Sequence, residues 1–154
     1  MAPIRTCNAS HSSDDNIMQN QRGLRVLVVE DDRLTAETLA LILRADGHDV
    51  RIAADGCTAL VEVKAREPDL IFVDINLPDM DGYAVAKRIR EQSAPRRPLL
   101  VALTGLADEE SRRLSQKAGI DLHLVKPVDT DTLRGMLRQI QSFMDDIESF
   151  DPAI

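Results

Sequence analysis

The 154-residue sequence has no apolar run long enough to span a bilayer and no apolar core near its start of the kind a signal peptide carries. Membrane insertion and export are therefore not expected. Cysteine is scarce: Cys7 and Cys57 lie far apart and match neither a metal-ligand nor a redox spacing. Both are read as free thiols in a reducing cytoplasm. Basic excess is missing as well. Nineteen Lys and Arg against 26 Asp and Glu leave a net charge of -7. A chain without a basic face is a poor direct partner for nucleic acid. Internal repeats and low-complexity tracts are also lacking. What is present is 44% hydrophobic content, on a length that suits one domain with a proper core and leaves no room for a second.

Residues 1–23 are polar, with Ile4, Ile17 and Met18 scattered among Ser, Asn, Gln and Asp and no helical or strand period. Such a segment buries too little apolar area to offset its ordering entropy, and it is expected to be flexible. Asn8-Ala9-Ser10 matches a glycosylation sequon, but nothing else points to secretion. Residues 24–145 carry the alternation of strands and helices expected of one globular domain. Residues 146–154 read as a short acidic tail, too short for a helix-turn-helix or other effector module.

Within the domain, Leu34, Thr38, Leu41, Ile42 and Ala45 recur at helical spacing, and Gly47 stands where a helix would stop. Asp49-Val50-Arg51-Ile52-Ala53 alternates polar and apolar, as a half-exposed edge strand does. A short helix around Ala59, Leu60 and Val63 ends before Pro68, and another carries Tyr83, Val85, Ala86 and Ile89. From Asp108 to Ala118 a helix is expected with Leu114 as its main apolar anchor, closed by Gly119. So small a buried face would be held weakly, which suits an element that moves. The last helix should start near Thr130 or Asp131 and bury Leu133, Met136, Leu137, Ile140 and either Phe143 or Met144.

Four apolar runs end in groups that can do chemistry. Arg25-Val26-Leu27-Val28-Val29 runs into Glu30-Asp31-Asp32, and Leu70-Ile71-Phe72-Val73 into Asp74. Leu99 to Leu103 ends at Thr104-Gly105, and Leu122-His123-Leu124-Val125 at Lys126-Pro127. A continuous apolar run reads as a strand covered on both faces of a parallel sheet. Ligands of open α/β sheets bind at the carboxyl ends of the strands. Alone, Asp74 could cap the turn implied by Pro78 and Asp79-Met80-Asp81-Gly82. An acid cluster, a lone Asp, a hydroxyl and an ammonium at four strand ends are hard to explain by packing.

This pattern resembles the receiver domain of bacterial two-component response regulators, of the stand-alone type, over roughly Leu24 to Met144. The resemblance implies an α/β fold: a doubly wound five-stranded parallel sheet of order 2-1-3-4-5, a flavodoxin-like three-layer sandwich, with right-handed crossovers. That order puts Glu30 and Asp31 beside Asp74. Two carboxylates about 4 Å apart repel by roughly 4 kcal/mol at an effective dielectric near 20, and a hard cation relieves them. Mg²⁺ is the expected cofactor, with Mn²⁺ as an alternative. By resemblance its ligands are Asp31, Asp74 and the backbone carbonyl of Asn76, with Glu30 acting through water, while Asp32 faces solvent or caps the next helix.

The resemblance further implies that Asp74 accepts a phosphoryl group from a histidine kinase or a histidine phosphotransfer protein, forming an acyl phosphate. Lys126, before a cis bond to Pro127, would place its charge on the phosphoryl oxygens, and Thr104 would hydrogen bond the new group. His123 occupies the position where the family commonly has a switching Tyr or Phe. It reads either as a switch or as a strand histidine facing solvent. Output would pass by protein–protein contact to an unidentified downstream protein, from a monomer or a weak phosphorylation-dependent dimer, in the cytoplasm, with no nucleic acid or membrane partner. The chain would catalyse only its own phosphorylation and dephosphorylation. A phosphorelay shuttle, a phosphate sink and a receiver excised from a hybrid histidine kinase share these features.

Other classes fit less well. A flavodoxin-like electron carrier needs a phosphate-binding Gly, Ser and Thr loop after the first strand, where Glu30-Asp31-Asp32 would repel FMN. A phosphatase of the haloacid dehalogenase type has a second Asp two residues after its nucleophile, where this chain has Asn76. A degenerate receiver is disfavoured by the complete residue set. By resemblance, Asn76 and Leu106 tune phosphoryl lifetime. Leucine cannot orient an attacking water, so Leu106→Glu is expected to accelerate dephosphorylation. Release of inorganic phosphate from the labelled chain at an unchanged or slower rate would contradict this.

Overall fold

The computed structural model describes residues 23–92, 97–105 and 108–149. Five strands alternate with five helices among them: β1 Arg25–Val29, α1 Arg33–Ala45, β2 Asp49–Ala53, α2 Gly56–Arg66, β3 Leu70–Asp74, α3 Gly82–Gln92, β4 Leu99–Thr104, α4 Glu109–Ala118, β5 Leu122–Val125 and α5 Thr130–Ser149. The sheet is parallel, in the order β2-β1-β3-β4-β5. The doubly wound fold expected from the sequence is therefore the one adopted. The flexible segment expected over residues 1–23 falls, but for Gly23, outside the described residues.

Side chains alternate across each strand, so an unbroken apolar run supplies two cores. Val26, Val28, Phe72, Val101 and Leu103 pack on one face with α1 and α5. Leu27, Val29, Ile71, Val73 and Ala102 pack on the other with α2, α3 and α4. Every residue of β3 is buried, as befits the central strand. β2, at the sheet edge, alternates exposed and buried positions.

Two expectations about buried faces, and one about where the C-terminal tail begins, need correction. In α1 the stripe of large residues is not the buried one: Leu34 is 76% and Leu41 69% exposed, while Ala36, Leu39, Ala40 and Leu43 are buried. The two alanines let the helix lie close to the sheet, and their small size hides this face in the sequence. In α4, Leu114 is 37% exposed and the residues turned inward are Ser115 and Ala118. That helix therefore has even less apolar anchorage than the sequence implied. In α5, Met144 packs against the core and Phe143 faces outward, and the helix continues to Ser149, past the start of the expected acidic tail.

The residues that end the helices behave as their chemistry requires. Gly47 and Gly119 stand at φ 92 and φ 83 after α1 and α4, a left-handed conformation that glycine adopts at little cost. Asp32, Asp55 and Asp108 cap α1, α2 and α4 by accepting from the backbone N–H of Thr35, Thr58 and Ser111.

Just past α1, the Nδ1 of buried His48 accepts a hydrogen bond from the backbone N–H of Leu24 at 3.0 Å, fixing the entry to β1. Burial holds its pKa below the ordinary 6.5, against a smaller opposing pull from Asp46. A histidine whose folded pKa lies below its unfolded value stabilises the fold above 6.5 and loses that contribution as pH falls through the folded value. His48→Phe should cost about 1–3 kcal/mol at pH 7.5, the desolvation cost of an orphaned N–H. The gap from wild type should narrow on acidification below pH 6.5. Urea unfolding of both proteins from pH 7.5 to 5 measures it, and a gap independent of pH would contradict it.

Candidate functional site

The carboxyl edge of the sheet is extended by one residue at three strands. The backbone N–H groups of Glu30, Ile75 and Lys126 donate to the carbonyls of Ala53, Leu103 and Thr104 at 3.0, 3.2 and 2.8 Å. Glu30 and Lys126 are thereby held in register one position beyond β1 and β5, as is Ile75 directly after Asp74. Since β1 pairs with β3, Glu30 and Asp31 come to stand beside Asp74, as the strand order demanded. One carboxylate oxygen from each of Glu30, Asp31 and Asp74 lies within 4.8 Å of the others.

Asp74 is 5% exposed and Glu30 1% exposed, whereas Asp31 faces solvent. The Lys126 ammonium reaches over from β5, with Nζ 2.5 Å from Glu30 Oε1 and 3.3 Å from Asp74 Oδ2. Burial, and then the adjoining Asp74 carboxyl, push the Glu30 pKa up to about 7, against the pull of Lys126. Burial alone would lower the pKa of Lys126, but the Glu30 and Asp74 carboxylates outweigh it and raise it. Glu30 Oε2 is buried with no hydrogen-bond partner. A buried acceptor without a donor is costly, and a cation among these hard oxygen donors would satisfy it. The residues present therefore fit a divalent metal.

The other expected residues fall as follows. Thr104 is buried at the end of β4, between Asp74 on β3 and Lys126 after β5 in the order of strand ends. The Lys126–Pro127 bond is cis. Asn76 donates its backbone N–H to Asp74 Oδ1 at 3.1 Å. Asp32 is turned away from the cluster as the cap of α1, where its carboxylate also accepts from the Thr35 hydroxyl. Leu106 lies outside the described residues. His123 is half-buried opposite Ala102, and its Nε2 is buried without a partner. Burial, and then the nearby Arg112 charge, hold its pKa below the usual value.

The loop after Asp74 is folded tightly onto the site. Gly82 N–H donates to the Ile75 carbonyl at 2.8 Å, and a Cβ on Gly82 would stand 2.3 Å from the Asp74 carbonyl oxygen. Only glycine allows that approach. Asp79, read from sequence as part of a turn, sends its carboxylate to the start of α2. There Oδ1 accepts from Gly56 N–H at 2.9 Å and Oδ2 from Cys57 N–H at 3.1 Å. Only its place one residue past Pro78, in the loop that carries Asn76, could have marked it in the sequence.

Comparison with known proteins agrees with this geometry. Residues 26–138 match the family model described as the response regulator receiver domain. The chain is 38% identical over 103 residues to a gliding motility regulatory protein of Myxococcus xanthus, covering 67% of this chain and 13% of that protein. It is 35% identical to the DNA-binding response regulator MtrA of Mycobacterium tuberculosis, covering 74% of this chain and 49% of that one. It therefore spans half or less of these two relatives. Protein PilG of Pseudomonas aeruginosa is 33% identical, with 78% of this chain and 89% of that protein covered. Among solved structures, the Vibrio cholerae chemotaxis protein CheY4 superposes with a TM-score of 0.73 at 30% identity, over 76% of this chain and 98% of that one. On its fold, its strand-end residues and these matches, the chain belongs to the response regulator receiver domain family.

Proposed function

We propose that this chain is a phosphorylation-dependent signalling switch that accepts a phosphoryl group onto Asp74 and passes the signal on by protein–protein contact. The observation that carries the reading is the Lys126 ammonium lying against Glu30 and Asp74, beside a buried carboxylate oxygen with no partner. Mg²⁺, or Mn²⁺ in its place, would be held by Asp31, Asp74 and the Asn76 carbonyl, with Glu30 acting through water. When bound, the cation neutralises charge on carboxylate and phosphoryl oxygens and helps to align them.

The remaining chemistry belongs to the chain. An Asp74 oxygen attacks phosphorus while the bond from phosphorus to the donor's imidazole nitrogen breaks, and the leaving imidazole takes a proton from solvent. The donor is a histidine kinase or a histidine phosphotransfer protein. Lys126 holds a fixed positive charge against the transferred oxygens, and the Thr104 hydroxyl donates to the product. The low exposure of Asp74 keeps competing water away from the acyl phosphate.

Transmission runs through α4, β5 and α5. Leu114, Leu122 and Val125 are exposed on the first two of these elements and offer apolar contact to a downstream protein. Driving a two-state element from 1:99 to 99:1 takes about 5.5 kcal/mol, so phosphorylation and partner binding share the work. His123, beside α4 with an unpartnered Nε2, is the residue whose surroundings change when Thr104 engages the phosphoryl group. The family membership supports a cytoplasmic switch without catalytic turnover on outside substrates.

Incubation with Mg²⁺ and acetyl phosphate should add one phosphoryl group to the wild-type chain and none to Asp74→Asn, as read by intact mass. Equal labelling of the two, or sustained turnover of p-nitrophenyl phosphate, would sink the proposal. In the same preparation, beryllium fluoride should shift the His123 ring resonances; an unmoved ring would remove His123 from the switch.

A further inference from the structure

The first turn of a helix leaves backbone N–H groups without partners inside the helix. In α2 the first three are satisfied by two carboxylates of different origin. Asp55, directly before the helix, takes Thr58 N–H at 2.7 Å, while Asp79 takes Gly56 N–H and Cys57 N–H at 2.9 and 3.1 Å from across the molecule. These bonds hold the Asp79 carboxyl below the usual carboxylate range, the Gly56 N–H being the largest cause and partial desolvation opposing it. The neighbouring side chain reinforces the contact: a Cβ on Gly56 would stand 2.6 Å from Met80 Cγ and 2.8 Å from Val85 Cγ2. α2 and the loop after β3 thus meet without a gap, through a glycine and a bidentate carboxylate.

That loop is short and carries Asn76 near its start. Asn76 N–H is fixed to Asp74 Oδ1, and the far end of the loop is closed by the bond from Gly82 N–H to the Ile75 carbonyl. Between those two points Asp79 and Met80 rest against the start of α2.

We propose that Asp79 is a positioning residue for the phosphorylation site, bracing the Asn76 carbonyl against α2, so that the first turn of α2 tightens when the acidic cluster binds its divalent cation. The inference rests on the metal and phosphoryl reading of the cluster. By linkage, whatever Asp79 contributes to cation binding must return as added protection of the amides it accepts from. It also makes the start of α2, on the side of the sheet's centre away from α4, a second place where occupancy of the site is felt.

The test compares Asp79→Ala with Asp55→Ala in the full chain. Both remove a carboxylate from the same helix start, but only Asp79 belongs to the loop. Mg²⁺ titration by NMR should show affinity falling three- to tenfold in Asp79→Ala, with phosphorylation by acetyl phosphate restored to within twofold at saturating Mg²⁺. Asp55→Ala should keep wild-type Mg²⁺ affinity despite a lower melting temperature. Hydrogen exchange at the Gly56 and Cys57 amides should slow on adding Mg²⁺ to wild type and Asp55→Ala. In Asp79→Ala it should not respond. Equal Mg²⁺ affinity in all three proteins, or the same loss in both variants, would reduce Asp79 to a helix cap and overturn the proposal. Should Asp79→Ala not fold, Asp79→Asn, which keeps one acceptor, is expected to show an intermediate affinity, and an affinity equal to wild type would count against the idea. A wild-type chain that neither binds Mg²⁺ nor takes the label would instead refute the underlying reading of the site.

Discussion

Two carboxylates that would repel each other are held side by side at the ends of adjacent parallel strands, with one ammonium from a third strand end between them. Glu30 and Asp74 cannot separate, because each is fixed at the end of a strand whose side chains are buried on both faces. Lys126 is fixed by its own ladder bond to Thr104. The sheet therefore holds the pair together against their repulsion; burial first, and then the Asp74 carboxyl, raise the Glu30 pKa, and one Glu30 oxygen is left without a partner. A site in this condition favours any addition of positive charge and responds strongly to any addition of negative charge, as a switch requires.

The scaffold can bear this load because its two cores are nearly independent of the edge. Val28, Phe72 and Leu103 lock one face and Val29, Val73 and Ala102 the other, all at or near complete burial. Packing of this kind does not deform smoothly, so in the proposed switch a change of charge at the edge would be passed to loops and surface helices and not absorbed within the sheet.

Much of this was legible in the sequence for a simple physical reason. A strand buried on both faces must be apolar without interruption, so the point where the run breaks marks the sheet edge, and Glu30, Asp74, Thr104 and Lys126 stand at those breaks. What stayed hidden depended on partners distant in the chain. The buried face of α1 runs through Ala36 and Ala40, and alanine signals no preference until its neighbour is known, whereas Leu34 and Leu41 draw the eye and face solvent. The Lys126–Glu30 contact joins residues separated by 96 positions. Asp79 looked like an ordinary turn residue because its bonds go to a helix start 22 and 23 positions earlier.

The contrast between the two helices flanking α3 shows how such a site can be both rigid and responsive. α2 is gripped at its start by the Asp55 and Asp79 carboxylates and packed through Gly56 and Ala59. α4 buries only Ser115 and Ala118, and the polar atoms beneath it include a Ser115 hydroxyl and a His123 nitrogen without partners. Few apolar contacts and unsatisfied polar groups make α4 the cheaper element to displace. In the proposed switch, charge added at Asp74 would meet a firm support at α2 and a yielding one at α4, and this asymmetry would give the response its direction.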